Sequence, residues 1–590
     1  MPLRIMDVLD RAADRWPDGA AMRAKRNGEW RTTTWREYRA QARLAARGMM
    51  ALGLEPGDTV TIIGFNCPEW FLADIGAIYA GGIPAGIYTT SSAEQCAWIA
   101  SNCAARVAVV ENAEQLKKFL SVRHTLPALR GIVVMHGDPG TPGEHGVCSW
   151  RRLLELGAGV SESGLDARVS AQKADDVCTL IYTSGTTGEP KGVMLSHDNL
   201  TFTADVGREV DLRPGDTLIT YLPLSHIAEQ IFSLHGAMTF GVTTSFAESM
   251  EALGENLREM RPTHFLAVPR VWEKIQDRMQ AAGAASSPLR RKLVRWARRV
   301  GLAGGYADQR GARRPASYPL ANALVFRAVR KRLGLERARM LVTSAAPISR
   351  DTLEFFLSLG LPICEVYGMS ECSGPATLSV PSAYRTGSAG VALPGTELRI
   401  GVDGEICIRG RHVFKGYFKN PAATAESVDA EGWLHSGDIG TIDADGFLQV
   451  TDRKKELIIT AGGENVAPQL VEGFMKGIPV VSQAFVVGDR QRYLAALLTL
   501  DPEKVPAVAR EAGSPARDVE GAICCEAFHA YVQQEIERVN QRLSRVQAVK
   551  RFALIPAEFT IEGGELTPSL KLRRRVIGEK YKDVIERLYA

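Results

Sequence analysis

The stretch "IYTSGTTGEPKGVMLSH", Ile181 to His197, holds two hydroxyl pairs, three glycines and a lysine within a dozen residues. Its donors suit phosphate. It is not a Walker A loop, which needs the lysine directly after the second glycine of G-x-x-x-x-G-K-[ST]. Here Lys191 stands three residues after Gly188, and Gly192 follows where a Mg²⁺-binding hydroxyl belongs. The anion-binding physics survives that failure. Ser184, Thr186 and Thr187 supply hydroxyls, and Gly185 and Gly188 let backbone N–H groups approach an anion closely. Lys191 adds a point charge. "TLIY" just before it reads as a short buried strand, so the loop sits at a strand's carboxyl end, where α/β sheets commonly hold ligands.

Outward from this loop, helix and strand signals alternate. Thr34-x-x-Glu37 is a capping box, and Tyr38, Ala42, Ala45 and Met49 follow at helical spacing. "TVTII", "ARVAVVEN", "DTLITYLP", "THFLAVP", "RMLVTSAAP" and "PICEVYG" read as strands, with the apolar helix "PEWFLADIGAIYAGG", ending at Gly81-Gly82, among them. The pattern predicts an α/β fold of mixed or parallel sheets covered by helices. After Gly387 the texture becomes short strands and turns, which predicts a small β-barrel-like subdomain over about 387–452. From Lys455 a compact α+β pattern follows, with a long helix over roughly 527–542. The reading is a large N-terminal domain, 1–452, and a small mobile C-terminal domain, 453–590, with a hinge near 453–456.

The bulk numbers agree with a multidomain globular chain. It has 590 residues, and its net charge of +4 gives no reason to invoke nucleic acid. The ten cysteines include no C-x-x-C pair, which fits reduced cytosolic thiols better than zinc. The N-terminus lacks the apolar run of a signal peptide, and a cytoplasmic protein is expected. "LRRKLVRWARRV", Leu289 to Val300, is strongly basic and could rest on an anionic membrane surface, giving peripheral association. A homodimer is left open.

Further motifs stand in a fixed order: "YLPLSHIAEQ", "SAAP", "EVYGMSE", "GEICIRG", "WLHSGD", "TDRKKELIITAGGENVAP" and "LTPSLKLRRR". With the phosphate loop, this ordered set resembles the adenylate-forming superfamily of acyl-CoA synthetases, acyl-adenylating enzymes and luciferases. "GIYTTSSAEQCAWIASNCAA", "VPRVWEKI" and "YGMSECSG" are most similar to long-chain acyl-CoA synthetases of the bubblegum type.

That resemblance implies a two-step reaction. A fatty acid of medium to long chain attacks ATP to give acyl-AMP, and CoA then takes the acyl group. It implies roles as well. Thr183 to Gly188 and Lys191 would hold the departing phosphates, and Glu371, with Thr183, would hold Mg²⁺. Ala345 and Ala346 would cover one side of the adenine, and Glu365, Tyr367 and Gly368 would lie along it. Ser370 would reach a phosphate oxygen. Asp438 would accept from the ribose hydroxyls, with Arg453 beside it. His226 would gate the acyl site, lined by Ile227, Gln230, Ile231, Met369, Cys372 and Gly374. Lys455 would be the hinge, and Gly462, Gly463 and Glu464 would meet CoA. Lys571, with Lys191 and Glu371, would be catalytic. Two alternatives are a fatty acyl-AMP ligase that loads a carrier protein and a catalytically silent fatty-acid-binding relative. ATP–pyrophosphate exchange separates the silent relative from the enzymes, and CoA dependence separates the two enzymes.

Overall fold

The computed structural model describes residues 3–140, 146–183, 189–462, 464–567 and 571–590. An eight-stranded sheet carries the phosphate-loop region. Five of its strands run side by side in parallel: Ile83–Ile87, Thr59–Ile63, Val107–Val110, Gly131–Val134 and Val147–Ser149. Val177–Thr183 joins them parallel to Ile83–Ile87. Lys191–Ser196 then returns antiparallel to it, with Thr183 opposite Lys191. The loop is thus the connection of a hairpin on the edge side of a parallel sheet. Its ends are held in register, whereas Ser184, Gly185, Thr186, Thr187 and Gly188 lie outside the described residues.

The sheet's parallel strands are buried, as helix-covered strands must be. The capping box forms: the Thr34 side chain accepts from the Glu37 N–H, and Glu37 accepts from the Thr34 N–H at 2.8 Å. Tyr38, Ala42, Ala45 and Met49 of the helix Trp35–Ala51 are all buried. A second sheet orders His264–Ala267, Met340–Thr343 and Cys364–Met369 in parallel. It continues antiparallel through Gly374–Leu378 and Val391–Ala392.

A third sheet contains elements that the pattern reading passes over. Ala20–Arg26 and Glu29–Thr34 form a hairpin across Asn27-Gly28. Both turn residues have positive φ, 52° and 81°, the conformation that favours Asn-Gly in two-residue hairpins. Ala20–Arg26 pairs in parallel with Thr243–Phe246, more than two hundred residues away.

Four antiparallel strands, Thr396–Ile400, Glu405–Gly410, Leu434–Ile442 and Leu448–Arg453, build the β-subdomain. Beyond it, Val481–Val487, Leu494–Leu500 and Val549–Ile555 form a three-stranded sheet. The long helix there is Glu526–Asn540. The largest apolar cluster draws its buried residues from Ile5 to Leu448, and a separate one draws them from Ile458 to Leu554. Among the described residues no helix is long and apolar enough to cross a membrane.

The basic segment belongs to the helix Pro288–Gln309. Leu289 is 79% exposed, but Arg298 turns inward. Its guanidinium lies 4.5 Å from the Phe355 ring centroid, and its Nε donates to Ser358 Oγ at 2.9 Å. The expected cationic face therefore loses Arg298, because the helix uses that position to pack against the helix Arg350–Leu357 and its end.

Candidate active site

One cleft of about 2750 Å³ runs between the β-subdomain, the second sheet and the C-terminal residues. Lys571, Asp438, Arg453, Glu371, Lys191 and His226 all line it. These six span most of the chain, so only the tertiary fold brings them together.

Asp438 and Arg453 are cross-strand partners in the β-subdomain. Arg453 Nε stands 3.6 Å from Asp438 Oδ1, and the Tyr367 hydroxyl donates to Oδ2 at 2.8 Å. Burial raises the Asp438 carboxyl, while Arg453 and the Tyr367 hydrogen bond pull it back. The Ser436 hydroxyl fixes the turn by accepting from the Asp438 N–H at 3.0 Å. An acid held this way can accept from a pair of sugar hydroxyls.

Glu371 follows the strand Cys364–Met369, in the short 3-10 turn Ser370–Cys372. It is 7% exposed, and burial raises its pKa. The Tyr417 hydroxyl donates to its Oε1 at 2.8 Å, and the Lys191 ammonium lies 4.9 Å from the Tyr417 ring centroid. No sequence motif points to Tyr417. It is brought in because Gly416–Tyr417 adds to the sheet edge beside Lys191–Ser196, and no local signal in "FKGYFKN" announces that pairing. Glu371 and Thr183 both face the cleft with hard oxygen donors, which suits Mg²⁺. Among the described residues no three-ligand cluster forms around Glu371.

The segment Ser344 to Pro347 lines the cleft after the strand Met340–Thr343. Ala345 has φ +75°, a left-handed conformation that costs a non-glycine residue on the order of 1–3 kcal/mol. Glu365, Tyr367, Gly368 and Ser370 line the same wall, as does Ala346. Glu365 Oε2 accepts from the Gly387 N–H at 2.8 Å. Burial pushes its carboxyl up to about 8, against the pull of the Gly387 and Ser388 N–H groups.

Lys571 enters from the C-terminal side. Its N–H donates to Thr567 Oγ1 at 3.0 Å, and its carbonyl accepts from the Thr567 N–H at 2.8 Å. This pair of bonds ties the Lys571 backbone to Thr567. Burial pushes the ammonium down to about 8; Arg453 adds to that, and Asp438 and Glu371 oppose it.

His226 accepts the Ala228 N–H on Nδ1 at 3.2 Å. Burial, with the charge of Lys571, lowers its pKa to about 4, so the ring is neutral near pH 7. It caps the helix Ile227–Glu229, which runs into a π-helical segment, Gln230–His235. π-Bulges of this kind are frequent at functional sites.

Of the expected acyl-site residues, Ile227, Ile231, Met369 and Gly374 wall the cleft. Gln230 and Cys372 do not. Gln230 Nε2 donates to the Leu224 carbonyl at 2.8 Å, and Cys372 Sγ faces the carbonyls of Gly374 and Met369. Both side chains satisfy backbone groups inside the protein. The wall instead continues through residues that the sequence reading passed over, Ala204, Val206, Val210, Phe232, Leu266 and Val342. Val206, Val210, Phe232, Leu266 and Val342 belong to one apolar cluster, so this stretch of the wall is apolar.

Lys455 is exposed in the 3-10 turn Lys454–Glu456, at the cleft mouth. Its neighbour Lys454 is tied to Asp403 and Glu405 at 2.6 and 3.0 Å. Gly462 and Glu464 are exposed near the small hairpin of Ile458–Ile459 and Asn465–Val466, and they do not line the cleft. Gly463 lies outside the described residues.

The AMP-binding enzyme family model matches residues 9–418, and the AMP-binding enzyme C-terminal domain model matches 455–590. The chain belongs to the AMP-binding enzyme family. Within it, the chain is 44% identical to the long-chain-fatty-acid–CoA ligase ACSBG2 of Xenopus laevis, over 100% of this chain and 84% of that one. It is 40% identical to the human ligase ACSBG1, over 100% and 86%. Among solved structures, the adenylation domain of a carboxylate reductase from Mycobacterium chelonae superposes with a TM-score of 0.76 at 23% identity. That match covers 100% of this chain and 91% of the other. ATP-bound MatB from Rhodopseudomonas palustris gives 0.72 at 21%, over 99% and 100%. These two share the fold of this AMP-binding enzyme: a large domain of mixed sheets and a smaller C-terminal one.

Proposed function

We propose that this AMP-binding enzyme is an ATP-dependent, AMP-forming ligase for medium- to long-chain fatty acids, which it activates as acyl-AMP and transfers to CoA. The observation that carries the reading is the meeting of Lys571 with Asp438, Arg453, Glu371 and His226 on one cleft whose wall also carries an apolar stretch. The similarity over the whole chain to long-chain-fatty-acid–CoA ligases supports the same substrates.

In the first half-reaction a carboxylate oxygen attacks the α-phosphorus of ATP, and pyrophosphate leaves. Negative charge gathers on phosphorus oxygens, so positioned cations lower the barrier. Lys571 stabilises that charge and orients the attacking carboxylate. Lys191 and the loop 184–188 hold the leaving phosphates. Glu371 and Thr183 would hold Mg²⁺, which would supply further neutralisation of phosphate charge. Asp438 and Arg453 fix the ribose, which sets the α-phosphorus in line. The neutral His226 separates the acyl site from the nucleotide without adding a competing charge. In the second half-reaction the CoA thiol attacks the acyl carbon, and AMP leaves. Gly462 and Glu464 lie away from the cleft in the arrangement described. Their assignment to CoA therefore goes with rotation of residues 453–590 about Lys455, the proposed division of the chain.

AMP release measured with a series of fatty acids, with and without CoA, tests the proposal. Palmitate should exceed acetate by a wide margin, since each buried methylene contributes about 0.8 kcal/mol. A preference for acetate or an amino acid rejects the long-chain reading, and turnover that ignores CoA rejects the acceptor.

A further inference from the structure

A second cluster of reactive side chains lies outside the cleft, where the loop after the strand Thr59–Ile63 meets the end of the strand Gly131–Val134. Cys67, Glu69 and His136 present a sulfur, a carboxylate oxygen and a ring nitrogen that all lie within 4.8 Å of one another. His136 Nε2 stands 3.8 Å from Glu69 Oε2. Cys67 Sγ lies 3.6 Å from Met135 Sδ, which closes the inner side of the cluster. None of the four lines the cleft.

We infer that Cys67, Glu69 and His136 form a binding site for Zn²⁺. The donor chemistry selects the ion. A thiol and an imidazole are poor ligands for Mg²⁺ or Ca²⁺, which take oxygen. Thiolate, imidazole and carboxylate are the three groups that Zn²⁺ accepts, at about 2.3, 2.0–2.1 and 2.0–2.2 Å. Tetrahedral bonds of those lengths put the donors roughly 3.3–3.6 Å apart. The cluster therefore needs to close by about 1 Å, within reach of side-chain rotation alone.

All three ligand residues are half-buried, so an ion can enter without unfolding. One group competes. Arg26 donates to Glu69 at 2.7 and 2.9 Å, so its guanidinium occupies part of the site and must give up the carboxylate when metal binds. Three protein ligands leave one position for water, the pattern of an exchangeable site.

Binding to the full chain is read with Zn²⁺ by titration calorimetry and with Co²⁺ by its near-ultraviolet thiolate charge-transfer band. Neither readout depends on ligase turnover. One equivalent of Co²⁺ should give the band in the parent chain and in a Cys524→Ser/Cys525→Ser variant, which removes the exposed and half-buried thiols elsewhere. Cys67→Ser should abolish the band while leaving ligase activity unchanged. His136→Ala should weaken Zn²⁺ by at least the roughly tenfold that the loss of even an outer-shell partner brings. Arg26→Ala should tighten it by freeing Glu69. A band that survives Cys67→Ser, or one lost only in the Cys524→Ser/Cys525→Ser variant, overturns the site. Unchanged affinity in both His136→Ala and Arg26→Ala overturns the ligand set.

Discussion

Replacing Lys571 with alanine should separate the two half-reactions. The lysine is buried, with Arg453, Asp438 and Glu371 acting on it, and with its ammonium pushed down to about 8 the protonated form still predominates at pH 7. The charged form is therefore the one that meets ATP. Deleting one electrostatic group aimed at a developing charge costs about 2.7–4 kcal/mol, or on the order of a hundredfold to a thousandfold in rate. ATP–pyrophosphate exchange with palmitate should fall by that factor. Thioester formation from synthetic acyl-AMP and CoA should stay near the parental rate, because charge no longer builds on phosphorus. The parent enzyme adds a second check. As pH rises through about 8 the ammonium loses its proton, so exchange should decline there for want of the cation. The alanine variant should lack that limb. Lys455→Pro should do the reverse of Lys571→Ala, since a fixed φ at the turn hinders rotation while adenylation persists. If Lys571→Ala slows both halves equally in a folded protein, or neither, the lysine is not the group that acts on adenylation.

Tyr417→Phe removes the donor to Glu371 but keeps the ring beneath Lys191. It should cost about 1.5–3 kcal/mol, the scale of a hydrogen bond to a charged group, seen as a higher Mg²⁺ requirement in pyrophosphate exchange; a parental Mg²⁺ profile would count against the Tyr417–Glu371 link. Val210→Phe, in the apolar stretch of the wall, should shift preference from palmitate toward octanoate in AMP release, and an unchanged profile would place the acyl chain elsewhere. For the proposed membrane contact, neutralising Arg290, Arg291 and Arg299 together should weaken partition to anionic vesicles at low salt without moving Tm. Arg298→Ala alone should lower stability by about 1–2 kcal/mol in denaturant unfolding, through lost contact with Phe355 and Ser358; equal behaviour of the two variants would refute the inward placement of Arg298.

Much of the chain was legible in its own order of residues. The capping box at Thr34 and Glu37, the parallel strands and the turn-rich texture after Gly387 are local signals, because apolar spacing and turn chemistry act over a few residues. The ordered motifs marked residues that line the cleft, Lys191, Glu371, Asp438, Arg453 and Lys571 among them, because each motif carries its chemistry within a short stretch. What depends on distant pairing was not legible. Tyr417 reaches Glu371 only because a two-residue strand joins the edge beside Lys191. Gln230 and Cys372 sit in the expected segments, yet face inward to satisfy buried carbonyls. Arg298 shares its charge with its neighbours, and only the helix's docking angle decides that it alone is turned inward. The grouping of Cys67 with His136 spans two strand ends of the parallel sheet. Local sequence determines which elements form and which chemistry each carries. Which side chains meet is decided by sheet register and helix packing, whose energies come from contacts between residues far apart in the chain.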